Sequence, residues 1–234
     1  MHQVRRFLKQ VATRVDEAVP SYCIVCNNPA LKSICAQCET ELPRLGKQCR
    51  CCALPTTTEN ALCGECLQTT PAFERTYSAF SYQGYVPWLI NRFKHQHALT
   101  IGQQLSEHLL AALPQNNAFD LIVPVPLHWS GLVQRGFNQA EVIARPLAHH
   151  LKLPVDHCLK KTAFRRHQQT LNRAQRQRAV RNSYAITRDV RHRHILLVDD
   201  VMTTGATVGA IAQLLCDAGA TRVDIACLAR TPKT

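Results

Sequence analysis

The sequence predicts an α/β domain, a parallel sheet flanked by helices, standing behind a small cysteine-rich module. Three observations carry that prediction. From Asp120 onward, short apolar runs alternate with amphipathic stretches, the pattern of buried parallel strands joined by covering helices. The run Ile195-Leu196-Leu197-Val198-Asp199-Asp200-Val201-Met202-Thr203-Thr204-Gly205-Ala206-Thr207 passes from an apolar strand through two acids and a hydroxyl-rich loop into a helix. Nine of the twelve cysteines fall between residues 23 and 66, eight of them as four C-x-x-C pairs.

Taken in chain order, the first element is a helix over residues 1–20. Val4, Phe7, Leu8, Val11 and Val15 recur at helical spacing with Arg5, Arg6, Lys9 and Arg14 between them, an amphipathic pattern that suits packing on the protein itself or lying on a membrane surface. The charges are spread through the stretch rather than placed ahead of an apolar block, so it does not read as a secretory signal. No run reaches the roughly 18 apolar residues of a membrane-spanning helix. A cytoplasmic protein is expected, with 46% apolar residues to build a core.

The four pairs are Cys23/Cys26, Cys35/Cys38, Cys49/Cys52 and Cys63/Cys66. A C-x-x-C turn aims two thiolates at one metal, and two such turns complete a tetrahedral sulfur shell around Zn²⁺. Residues 21–69 therefore read as a double zinc-ribbon-like module holding two structural Zn²⁺ ions. Consecutive pairing needs only short loops, although the spacing also permits interleaving, and Cys51, beside Cys52, is an alternative ligand to Cys49. Eight thiolates saturate two metals and leave no open coordination position for catalysis.

Pro71 closes the module, and a larger domain over residues 70–234 follows. Ala72–Tyr85 reads as short extended segments broken by Gly84. Helices are predicted over 86–95 and 100–113, the second bounded by Thr100 and Pro114. Then come a strand at 121–125, a helix over 138–151, a strand at 195–198, a helix over 207–218 and a strand at 223–228. Ligands of such sheets sit at the carboxyl ends of the strands.

That rule places the chemistry in the run from Ile195 to Thr207. Asp199 and Asp200 at the strand end suit the hydroxyls of a ribose. The hydroxyls of Thr203, Thr204 and Thr207, with the backbone N–H groups of the loop and of the helix start at Ala206, suit a phosphate. Gly205 permits close backbone approach. The run resembles the signature of the type I phosphoribosyltransferases, in which adjacent acids hold the ribose of 5-phosphoribosyl-1-pyrophosphate and the next loop holds its 5′-phosphate.

The resemblance extends to the ComF/GntX family of bacterial competence and DNA-utilisation proteins. The four C-x-x-C pairs, Lys94, Val123-Pro124-Val125-Pro126-Leu127-His128, Arg135-Gly136-Phe137-Asn138-Gln139-Ala140, the Asp-Asp run and the closing Ala229-Arg230-Thr231-Pro232 fall in that family's order. It implies that Pro124, Val125 and Pro126 belong to a pyrophosphate-binding loop, with Arg135 beside it. Arg176 stands in the stretch where related enzymes carry a mobile lid, and there Gln168, Leu171 and Arg176 match the family while Thr170, Asn172, Ala179, Ser183 and Tyr184 depart from it. Arg135 and Arg176 would act on the developing charge if pyrophosphate leaves, with Mg²⁺ held largely by the substrate's own oxygens.

Two functions follow from this resemblance. One is a phosphoribosyl pyrophosphate-binding protein in the uptake or use of extracellular DNA, with single-stranded DNA and other DNA-uptake proteins as partners. The other is a phosphoribosyltransferase of nucleotide metabolism with an amine or base acceptor. The charge suits an anionic partner in either case. The chain carries a formal +12, and Lys160 to Arg193 hold eleven basic residues against Asp189 alone, a concentration that favours phosphate-bearing ligands.

Overall fold

The computed structural model describes residues 21–58, 61–96, 98–114, 119–162 and 182–233. The expected helix over residues 1–20 and most of the expected lid, Arg176 included, lie outside the described residues. By their contacts the residues form two compact units, 1–42 and 43–234.

In the smaller unit a minimal antiparallel pair, β1 (Ser21–Tyr22) and β2 (Pro29–Ala30), frames the first C-x-x-C turn. A short helix, α1 (Ala36–Thr40), starts directly after Cys35 and carries Cys38.

The larger unit begins with the second cysteine segment, whose helix α2 (Gly64–Gln68) starts after Cys63 and carries Cys66. Next come β3 (Thr76–Ser81), α3 (Val86–His95), α4 (Leu99–Ala112), β4 (Leu121–Pro124), α5 (Trp129–Arg135) and α6 (Gln139–Leu151). A small antiparallel pair, β5 (Leu159–Lys161) and β6 (Tyr184–Ile186), flanks the stretch left undescribed. The chain closes with β7 (His194–Met202), α7 (Ala206–Asp217) and β8 (Arg222–Arg230).

The central sheet has the order β3-β8-β7-β4 and is parallel throughout. Both faces are covered, which is why Leu121–Pro124 and Ile195–Val198 read as unbroken apolar runs rather than alternating ones. Leu121, Val123, Ile195, Leu197, Val223, Ile225 and Cys227 share one core with Val208, Ile211 and Leu215 of α7, and with Cys49, Cys52, Leu54, Cys66 and Phe73 of the second cysteine segment. Helices α4 and α6 pack against the sheet as well.

Element types follow the expectation, and the boundaries differ where the hydrogen-bond ladder outlasts the apolar run. β7 was expected to end at Val198, yet its pairing with β8 continues from Asp199↔Cys227 to Met202↔Arg230. A ladder uses main-chain groups, so two acidic side chains do not end it. The extended region before Gly84 is one strand, β3, buried along its whole length. Helix α5 had no apolar periodicity to announce it, and none of its residues is buried.

Candidate phosphate-binding site and paired cysteine clusters

At the carboxyl end of β7, Asp199 and Asp200 are both partly exposed. The Asp200 N–H donates to Asp199 Oδ1 at 2.9 Å and the Val201 N–H to Asp200 Oδ1 at 2.6 Å, which fixes the two carboxylates on the strand. Asp200 Oδ2 lies 2.8 Å from Lys94 Nζ of α3, an ion pair in a half-buried setting. Burial, with the neighbouring Asp200 carboxylate second, pushes the Asp199 carboxyl up to about 7.

Lys94 reaches this position because α3 is packed tightly. Leu89, Ile90 and Phe93 are fully buried, and the Phe93 ring lies so close to Gly102 of α4 that a Cβ there would fall 2.4 Å from it. Phe93 also meets Phe137, with ring centroids 5.6 Å apart, tying α3 to the segment that leads into α6.

After Met202 the loop turns through Thr203 and Thr204, both exposed, to Gly205. Gly205 holds φ +76°, and a Cβ would meet Met202 Cε at 2.7 Å, so both backbone and space demand glycine. It stands as the N-cap of α7 with no side chain to bond the helix's first amides. The Thr204 hydroxyl accepts from Ala206 N–H at 3.3 Å. Unfilled N–H groups at a helix start beside three threonine hydroxyls make an anion cradle.

The loop after β4 is stiff. Val125 donates its N–H to the Val198 carbonyl at 2.8 Å and accepts at its own carbonyl from Asn138 Nδ2 at 3.0 Å. Pro124 and Pro126 have no N–H, so the amides this loop can turn to an anion begin at Leu127. Asn138 also caps α6, accepting from Ala140 N–H at 3.1 Å, and so holds loop and helix together. His128 caps α5 through Nδ1, which accepts from Ser130 N–H at 3.3 Å. Arg135 Nη1 donates to Gln139 Oε1 at 3.4 Å. Arg135 Nε and Gln139 Nε2 are buried without a hydrogen-bond partner. Buried donors are nearly always satisfied, and these two, side by side near the loop, are left unfilled by the described residues.

Lys94, Asn138, Gln139 and Arg230 join this site from outside the set of residues expected to bind substrate. In the sequence they stand only within the order of motifs that carries the family resemblance. Their signal lies in position: Lys94 follows three buried apolar residues on one helix, and Arg230 ends an apolar strand.

The eight paired cysteines form two groups, Cys23/Cys26/Cys35/Cys38 and Cys49/Cys52/Cys63/Cys66, in each of which the four sulfurs lie within 4.8 Å of one another. This is the consecutive pairing. Both groups share one local design. The residue after each first pair takes a left-handed turn, Asn27 at φ +59° and Ala53 at +55°. Cys35 N–H donates to Cys23 Sγ and Cys63 N–H to Cys49 Sγ, each at 3.3 Å. The buried Cys51 thiol points elsewhere, donating to the Phe73 carbonyl at 3.4 Å. Each group is made of four cysteine sulfurs alone, the donor set of a tetrahedral structural zinc shell.

A model of the phosphoribosyl transferase domain matches residues 137–234. Across nearly the full length, the chain is 34% identical to the DNA utilization protein YhgH of Escherichia coli K12, over 91% of this chain and 98% of that one. The chain belongs to the ComF family. It is 27% identical to competence protein F of Haemophilus influenzae, over 89% of this chain and 96% of that protein. Among solved structures it is similar to the purine phosphoribosyltransferase of Pyrococcus horikoshii, at 23% identity and a TM-score of 0.32, over 61% of this chain and 74% of that one. It also covers a quarter of the glutamine phosphoribosylpyrophosphate amidotransferase of B. subtilis, over 56% of its own length, at 23% identity and a TM-score of 0.37. Among the described residues, no helix is long and apolar enough to cross a membrane.

Proposed function

We propose that this ComF-family protein binds 5-phosphoribosyl-1-pyrophosphate at the carboxyl ends of β4 and β7, and acts in the cytoplasm in the use of DNA taken up from outside. The observation that supports this most directly is the acid pair running straight into the uncapped start of α7. Asp199 and Asp200 accept from the ribose hydroxyls. Amides from Thr203 to Thr207 and the threonine hydroxyls hold the 5′-phosphate. Amides from Leu127 onward, with Arg135 and Gln139, serve the pyrophosphate and satisfy the two orphaned donors. Mg²⁺ fits here, since it needs only one or two carboxylates besides substrate oxygens and Lys94 occupies one side of the acid pair alone; when bound it would neutralise pyrophosphate charge.

Zn²⁺ in each cysteine group would hold its knuckle folded and take no part in chemistry. The role in DNA use rests on the relatives' names and on the basic stretch from Lys160 to Arg193, which suits single-stranded DNA, with other DNA-uptake proteins as further partners.

The test is calorimetric titration of the zinc-loaded protein with phosphoribosyl pyrophosphate and Mg²⁺. Binding is expected for the wild type, and its loss in the double variant Asp199→Asn, Asp200→Asn with an unchanged unfolding midpoint. No heat from the wild type, or equal affinity in the double variant, overturns the reading. Release of pyrophosphate with an added amine or base would establish the second reading, a transferase of nucleotide metabolism.

A further inference from the structure

Arg230, the last residue of β8, is one of the largest fully buried side chains, at 2% exposure. Its guanidinium donates to four carbonyls. Nε reaches Cys52 O at 2.7 Å. Nη1 reaches Met202 O at 3.0 Å, Thr231 O at 2.8 Å and also Thr203 O. Among the described residues no carboxylate pairs with it. A buried cation without a counter-ion is costly, and carbonyl dipoles offset only part of its charge.

These partners belong to two different devices. Cys52 is a member of the second sulfur group, while Met202 and Thr203 form the floor of the phosphate loop. In a trans peptide the C=O and the next residue's N–H point in opposite directions. By drawing the Met202 and Thr203 carbonyls inward, Arg230 turns the Thr203 and Thr204 amides outward, where an anion meets them. The missing countercharge is available on both sides. Four thiolates around a divalent metal carry a formal charge of minus two, and a sugar phosphate supplies a second dianion.

We infer that Arg230 is a positioning residue that couples the second cysteine cluster to the phosphate loop, so that filling Cys49/Cys52/Cys63/Cys66 with metal sets the loop for a phosphate ester, and the ester in turn holds the metal. The ester's identity rests on the proposed function; the coupling of cluster to loop does not. Linkage requires the effect to be equal in both directions. Lysine cannot replace Arg230, because one ammonium lacks the planar spread of donors that bridges Cys52 to Thr203.

The experiment has two arms on the full-length zinc-loaded chain. In the first, hydrogen exchange is followed for the amides of residues 202–207 in the wild type, Cys49→Ser/Cys52→Ser and Arg230→Lys, with circular dichroism and exchange across β4 and β7 reporting that the sheet is intact. Loop exchange is expected to rise about tenfold or more in both variants relative to the sheet. Loop protection equal to wild type in either variant overturns the inference. In the second, zinc release under a thiol reagent is timed with and without phosphoribosyl pyrophosphate and Mg²⁺. The ligand is expected to slow release from the second cluster by about fivefold or more in the wild type and not in Arg230→Lys. Equal protection in both overturns it too. If the wild type does not bind the ligand at all, the proposed function fails while the exchange arm still decides the coupling. Should Arg230→Lys unfold, Arg230→Gln and the cysteine variant give the same comparison.

Discussion

The strands β7 and β8 carry charge at both ends, and the two ends are built on opposite terms. At the amino end Asp224 is fully buried, and its oxygens meet Arg222 at 3.2 and 3.0 Å and His194 Nε2 at 3.2 Å. Arg222 pairs further with Glu74 at 3.1 Å, and Phe119 closes over the His194 ring with centroids 4.9 Å apart. Every charge there faces an opposite one. At the carboxyl end two carboxylates crowd together with Lys94 paired to Asp200, Gly205 leaves a helix start without a side-chain cap, and Arg135 and Gln139 each keep a buried donor idle. Charge is matched within the protein at the amino end and left incomplete at the carboxyl end, which is the end the proposed function uses.

The largest effect separating the two ends is expected at Asp224. Asp224→Ala leaves Arg222 and His194 without their shared buried partner, and loss of one member of such a network costs about 3 kcal/mol. Urea unfolding should show it as a lower midpoint at unchanged slope. Affinity for phosphoribosyl pyrophosphate should stay at the wild-type value. A stability loss below about 1 kcal/mol would mean that the amino end is no more than a surface ion pair.

A smaller effect of the opposite kind is expected at Lys94. In Lys94→Met the Asp199–Asp200 pair loses the ammonium that lies 2.8 Å from Asp200, and crowded carboxylates then take up a proton that ribose recognition cannot use. Affinity should fall about tenfold, equivalent to about 1.4 kcal/mol, with the unfolding midpoint unchanged or raised. Undiminished affinity in Lys94→Met would move Lys94 from the site to the scaffold.

The same contrast explains what the sequence made legible. The strand, loop and helix start of the candidate site were readable because they follow one another without a break from Ile195 to Thr207, so local chemistry and local order coincide. The cysteine pairs were readable for the same reason. Lys94 and Arg230 were not, because each acts across more than a hundred residues of sequence or through backbone carbonyls, whose directions no side-chain pattern encodes. The amino-end network was equally silent: Asp224 stands in an apolar run, and only the register that sets Leu196 opposite Asp224 brings His194 within reach. Composition draws a line near residue 70, where the paired cysteines stop. Packing draws it between Leu42 and Pro43, because Leu54, Cys66 and Phe73 are buried in the core of the sheet.

The smallest effect expected is a slope with pH, and its sign separates the two ends once more. Asp199 faces Asp200, Lys94 and Lys161, and its carboxyl is raised by burial and by Asp200 to about 7. Its ordinary value is 3.8. Between those values the folded chain keeps a proton that the unfolded chain releases, so the stability this group contributes is complete below about 4 and is lost as pH rises through 7. Ligand binding runs the other way, because a carboxyl accepts from the ribose hydroxyls best when ionised. Affinity for phosphoribosyl pyrophosphate should therefore climb from pH 6 to pH 8 by up to about tenfold per unit below 7, while the unfolding midpoint of the free protein declines from about pH 4 to 7 and levels off above it. The ligand's own phosphate also titrates near pH 6, and Asp199→Asn subtracts it: that variant should bind more weakly and keep only the ligand's slope. Parallel slopes in the wild type and Asp199→Asn would place the proton elsewhere, and the acid pair would then belong with the matched charges of the amino end.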